Sequence, residues 1–315
     1  MIFGEGSFQY ELVEGWADAL AARHVGAVPG ICADRDDRLY LLSRGRPPIL
    51  VVNTAGECLE HWGDDVFLRA HGVYLCGNGD VFCADDAGHA VYRFDRARAL
   101  RLTLGTKGVP SDTGCVNKKW QTILRAAGPF NYPTNVALAK NGDIYVSDGY
   151  GNARVHVFSP DGEWRFSWGE PGDGPGQFNL PHSLRFGPDE TLYVCDRANN
   201  RIQLFDRAGR FLDQWGGFER PADLCIDKSG MMYVAECKRC NAFDGTPSRV
   251  TILNLKGDIL ARVGGDKPYD PQKGHHTAHG IAVDSQGSLY VAEVGQKFPQ
   301  GYVGLKKYRR VNRPL

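Results

Sequence analysis

The chain has 315 residues, 42% of them hydrophobic, and its 37 basic and 37 acidic side chains cancel. A neutral chain gives no electrostatic hold for nucleic acid or an anionic surface, and no stretch approaches the ~18 apolar residues of a membrane span, so neither partner is expected. A chain this long can bury a large core, and 39 glycines suit many short strands joined by tight turns.

The opening, MIFGEGSFQYELVEGW, lacks a charged start followed by an apolar run and does not read as a secretory leader. Nine scattered cysteines read as mostly reduced thiols, and a cytoplasmic location is expected. Cys237 and Cys240 form one CxxC, which without a second pair reads as two loop thiols rather than a structural zinc site.

From residue 30 onward one pattern recurs six times, with units starting at Gly30, His71, Thr134, His182, Ala222 and His279. The middle strands read RLYLLSR, DVFCADD, DIYVSDG, TLYVCDR, MMYVAEC and SLYVAEV. Apolar segments with turn residues about every ten positions argue for β-hairpins, not helices. Units of about 40 residues with four strands each fit propeller blades. The prediction is an all-β, six-bladed β-propeller of four-stranded antiparallel blades, a single domain over residues 1–315. The last unit is too short for a closing strand, and SFQYELV near residues 7–13 is predicted to supply it.

Three places exceed the repeat, at about residues 106–131, 237–248 and 294–303. The first carries the most convincing helical stretch, around NKKWQTILRAA, and is expected to cover one face as a lid or rim.

His71, His182 and His279 hold the same slot in alternate units. One histidine at a strand start is usually a loop residue bonded to backbone. Three at equivalent positions in a closed ring point at one axis, as three ligands of one metal do. Three protein ligands with an open position describe a catalytic zinc better than a structural one, and neutral imidazoles suit other divalent metals too. His275 and His276, close by in sequence, are a spare ligand or rim residues.

Arg44, Tyr150 and Arg197 follow the second strands of their units, and strand direction brings them to the same face as the histidines. The two arginines fall where other units carry Asp85, Asp148, Glu236 or Glu293. Taken singly, an exposed arginine is a solvated charge and a tyrosine at a turn is a packing aromatic. Two arginines facing a dication call for an anion between them, and arginine holds a carboxylate through two parallel hydrogen bonds. Tyr150 would then present a phenol as general base.

These residues also carry a likeness. The blades look like NHL repeats, and the chain resembles peptidyl-α-hydroxyglycine α-amidating lyase from about residue 30 to the end, most densely in SDGYGNARVHVFSPDGEWRFSWGE and FNLPHSLRFGPDETLYVCDRANNRIQLFD. The resemblance implies a catalytic zinc on His71, His182 and His279, with Arg44, Tyr150 and Arg197 as catalytic residues. It also implies a structural calcium held through the backbone carbonyls of Ile31 and Val73. Gly280 stands where that family has the third calcium ligand, an Asp, and Gly151, Tyr193 and Leu204 stand at cysteine positions. The function expected is a metal-dependent lyase that cleaves the C–N bond of an α-hydroxyglycine-like carbinolamide to an amide and glyoxylate. Its substrate would be a small or peptide-like molecule bearing a carboxylate. The alternatives are a non-catalytic NHL-propeller scaffold and a metal-dependent hydrolase or other lyase on the same ring.

Overall fold

The computed structural model describes residues 2–237, 248–264, 277–295 and 303–311. Their strands form six antiparallel sheets, and the fold is a six-bladed β-propeller, almost wholly β, as the repeat predicts. Contacts gather the blades into two units, Asp65–Pro221, and Met1–Asp64 with Ala222–Leu315.

The first unit contains three blades. Their strands are Ala70–Leu75, Val81–Asp85, Ala90–Phe94 and Leu100–Gly105; then Pro133–Leu138, Ile144–Asp148, Arg154–Phe158 and Trp164–Trp168; then Pro181–Phe186, Leu192–Asp196, Arg201–Phe205 and Phe211–Trp215. Every residue of the second strands Val81–Asp85, Ile144–Asp148 and Leu192–Asp196 is buried, whereas the outer strand Phe211–Trp215 is largely exposed. A strand covered on both faces needs a continuous apolar run, which is why these segments read as VFCA, IYVS and LYVC. The turn between third and fourth strands is set by side-chain chemistry. Asp206 Oδ1 accepts the N–H groups of Ala208 at 2.9 Å and Arg210 at 3.0 Å, while Gly209 takes a φ of 77°. The same Asx turn recurs at Asn53 and Asn254.

The carboxylate ending each second strand is structural. Buried Asp85 accepts the N–H groups of Leu68 and Arg69, Asp148 that of Asn131, and Asp196 that of Asn179. Each thus clasps the segment leading into its own blade. This corrects one expectation: Arg197 does not replace such a carboxylate but follows it, because Asp196 already fills that slot.

The second unit holds the blades Gly30–Ala33, Leu39–Leu42, Ile49–Val52 and Cys58–Trp62; Pro221–Ile226, Met232–Glu236, Arg249–Leu253 and Ile259–Gly264; and Thr277–Val283, Leu289–Val294 and Leu305–Arg310. The last is completed by Phe8–Leu12, which pairs antiparallel to Leu305–Arg310, so the predicted closing strand is present. A further strand, Ile2–Glu5, was not anticipated; it folds back on Phe8–Leu12 through Gly6 and Ser7 and makes this blade five-stranded. Tyr10, Tyr233, Ile252 and Leu289 are among the residues of its apolar core.

The helix expected in the 106–131 segment is absent. Only a 3-10 turn, Trp120–Thr122, forms there. Asn117 and Lys118 both adopt left-handed backbone, with φ of 53° and 57°, which ends helical geometry before it starts. The Thr122 hydroxyl accepts Val116 N–H at 2.8 Å, competing with the helical ladder. A four-residue helix, Asp18–Ala21, lies outside any sequence expectation. Among the described residues, no helix is long and apolar enough to cross a membrane.

Cys32, Cys58, Cys76, Cys83, Cys115, Cys195 and Cys225 are free thiols, in line with their reading as reduced. Cys237 is buried and disulfide-bonded, so the reading of the CxxC as loop thiols fails there. Cys240, His275, His276 and most of the 237–248 and 294–303 segments lie outside the described residues.

His89 is a buried histidine away from the three repeat slots. Its Nδ1 accepts the Tyr132 N–H at 3.1 Å, and burial holds its pKa below the usual histidine value. The unfolded chain therefore binds a proton there more readily than the folded one. Stability is full above the ordinary histidine pKa and falls as pH drops through it toward the depressed folded value. The unfolding temperature of wild type is expected to decline across that window, and His89→Gln to flatten the decline; parallel slopes for the two proteins would contradict this.

Candidate metal and catalytic centre

His71, His182 and His279 each lie in the first strand of a blade and each falls at a break in pairing. Register shifts lie between Ala70 and Val73, Pro181 and Ser183, and Ala278 and Gly280. A bulged residue drops out of the ladder and its side chain is re-aimed. All three are buried, and within the first unit the His71 and His182 rings lie 4.9 Å apart, centre to centre.

Main-chain carbonyls fix the tautomers. His71 Nδ1 lies 2.7 Å from Thr134 O and His279 Nδ1 lies 2.7 Å from Pro29 O. A carbonyl only accepts, so each Nδ1 carries the hydrogen and each Nε2 keeps its lone pair for a metal. Gly72 makes the first contact possible, since a Cβ there would stand 2.2 Å from Thr134 O.

Tyr150 follows the strand Ile144–Asp148 and is held by its neighbours. At Gly149 a Cβ would stand 2.0 Å from Pro181 O, so only glycine lets this turn pass against the residue that precedes His182. The Tyr150 hydroxyl lies 2.9 Å from His182 Nε2, 3.2 Å from His71 Nε2 and 3.3 Å from Arg197 Nη1. A phenol has one hydrogen to donate, yet both imidazole nitrogens face it. With the His71 Nε2 lone pair turned toward it and a second buried imidazole beside it, the donor set fits a divalent metal.

Arg197 is buried and opens the 3-10 turn Arg197–Asn199 directly after Asp196. Its Nη1 donates to the Tyr150 hydroxyl. Arg44 follows Leu39–Leu42 and is exposed, with its N–H bonded to Ala27 O at 2.9 Å. Ile31 and Val73 lie in Gly30–Ala33 and Ala70–Leu75, both buried. Tyr193 and Leu204, at cysteine positions of the resembled family, pair across adjacent strands.

Sequence reasoning missed two cations beside Tyr150. Lys118, on the left-handed turn of the long insertion, sets its ammonium 4.0 Å over the Tyr150 ring and 2.7 Å from Asp86 Oδ2. Asp86 is fully buried and also binds Arg69. Burial first, and the charge of Arg197 second, hold the Arg220 pKa below the usual arginine value. The double lysine in CVNKKW was the one available signal for Lys118. Nothing marked Arg220, which takes its place through the backbone turn before Pro221.

Comparison with known proteins finds the same repeat. The NHL repeat family matches residues 130–158 and 178–205. The chain carries NHL repeats. It is 31% identical over 306 residues to peptidyl-glycine alpha-amidating monooxygenase A of Xenopus laevis, covering 85% of this chain and 31% of that protein. A probable peptidyl-alpha-hydroxyglycine alpha-amidating lyase of Caenorhabditis elegans is 30% identical over 161 residues, 50% of this chain and 42% of the other. NHL repeat-containing protein 3 of Homo sapiens is 27% identical over 296 residues, 86% and 77% of the two chains. The chain spans about a third of the length of the Xenopus relatives. Among solved structures, a virginiamycin B lyase of Staphylococcus aureus aligns at 13% identity and a TM-score of 0.58, covering 99% of this NHL-repeat chain and all of that one. A gluconolactonase of Xanthomonas campestris aligns at 18% and 0.56, over 91% and 87%. These two likenesses are of fold alone.

Proposed function

We propose that this NHL-repeat protein is a metal-dependent lyase that cleaves the C–N bond of an α-hydroxyglycine-like carbinolamide, releasing an amide and glyoxylate. The observation that carries the reading is the Tyr150 hydroxyl within hydrogen-bond reach of His71, His182 and Arg197. Similarity to proteins named as amidating lyases and monooxygenases supports it.

His71, His182 and His279 would hold the divalent cation, which when bound supplies Lewis-acid polarisation of a substrate oxygen. Tyr150 takes the proton of the substrate hydroxyl. The electrons of that O–H bond form the aldehyde C=O as the C–N bond breaks, and the proton passes to the leaving nitrogen, so atoms and charge balance without a co-reactant. Arg197 stabilises negative charge that develops on the Tyr150 oxygen or holds the substrate carboxylate, and Arg44 is assigned to the same carboxylate.

Glyoxylate release from model α-hydroxyglycines tests the reading. Turnover that needs added zinc supports it; a metal-loaded protein with no turnover overturns it. Water labelled with heavy oxygen separates elimination, which leaves no label in the amide, from a hydrolase. Similarity to NHL repeat-containing protein 3 over most of both chains keeps a binding scaffold as the second reading, for which the purified protein would carry no metal.

Arg197→Lys retains the charge but loses the planar fork. It is expected to lower kcat/KM by roughly 10–100-fold, mostly through KM if the fork binds the carboxylate. Unchanged kinetics would remove Arg197 from the site.

A further inference from the structure

The resemblance implies a calcium held by the carbonyls of Ile31 and Val73 together with an Asp beside the last histidine. The residues present do not fit that ion. Val73 O already accepts a hydrogen bond from Arg185 Nη2 at 3.4 Å. Nη1 of the same guanidinium donates to Leu184 O at 2.9 Å and Val136 O at 3.1 Å. The three carbonyls belong to the first strands of three successive blades, Ala70–Leu75, Pro133–Leu138 and Pro181–Phe186. The guanidinium carbon also lies 5.5 Å from the centre of the Tyr74 ring, whose π face attracts a cation. Calcium prefers about 6–8 oxygen ligands that include carboxylates. Position 280 offers none, and has little room for one: a Cβ at Gly280 would lie 3.2 Å from both Ala292 Cβ and Ile31 Cγ2 and 3.3 Å from Ile31 N.

We propose that the Arg185 guanidinium is the permanent cation of this carbonyl cluster, taking over the structural part that the resemblance assigns to calcium, so that the fold needs no calcium. A guanidinium keeps its charge at any working pH and presents several donors in one plane, so one side chain can bind carbonyls of three blades at once. Unlike an ion, it cannot dissociate or be chelated. The inference is independent of the proposed reaction and of the histidine-bound metal.

The test keeps zinc constant and varies calcium. Wild-type protein in calcium-depleted buffer and in millimolar calcium should unfold at the same temperature to within about 1 °C, since only a ligand of the native state shifts it. Isothermal titration with calcium chloride should show no binding. Arg185→Met keeps the bulk and removes the donors; its unfolding temperature should fall by about 5 °C or more, with Arg185→Lys recovering part of the loss. Stoichiometric calcium binding by wild type, a calcium-dependent rise in its unfolding temperature, or an Arg185→Met protein as stable as wild type would each overturn the proposal. If Arg185→Met does not fold, the wild-type titration decides alone.

Discussion

Tyr150→Phe is expected to lower kcat by about 10²–10⁴-fold with little change in KM. The substitution removes one oxygen, the atom that lies 2.9 Å from His182 Nε2, 3.2 Å from His71 Nε2 and 3.3 Å from Arg197 Nη1. The ring remains, with its edge-on contacts to His71 and His182 and the Lys118 ammonium over its face. Binding should therefore persist while proton transfer fails. Glyoxylate release under saturating substrate reads the effect, and zinc content read alongside shows the metal in place. A variant that turns over at the wild-type rate would take Tyr150 out of the chemistry.

His182→Ala is expected to abolish turnover and to reduce bound zinc from one equivalent to a small fraction. The two remaining imidazoles cannot hold a catalytic ion at the affinity of three. A second readout follows from mass action: a metal bound only by the native state contributes about 4 kcal/mol of stability at a thousandfold excess over its Kd. Chelation should thus lower the unfolding temperature of wild type and leave that of His182→Ala unmoved. Elemental analysis and thermal unfolding of the two proteins check this together. One equivalent of zinc on the variant, or a wild type that takes up no metal, would contradict the histidine site.

The sequence by itself determined the blade count, the continuous apolar second strands, the borrowed strand Phe8–Leu12 and the recurrence of His71, His182 and His279 in one slot, because each is a matter of side-chain identity at a regular spacing. The tertiary structure alone decided the bulges that re-aim the histidines, and the carbonyls of Thr134 and Pro29 that choose their tautomers. It alone also decided the loss of the expected helix to the left-handed turn at Asn117 and Lys118, the approach of Lys118 to Tyr150, and the three carbonyls gathered by Arg185. Every residue carries the same N–H and C=O save for proline's missing hydrogen, so a sequence does not mark which of these groups will meet a distant side chain. That depends on how strands pair and how blades pack, which only the folded chain settles.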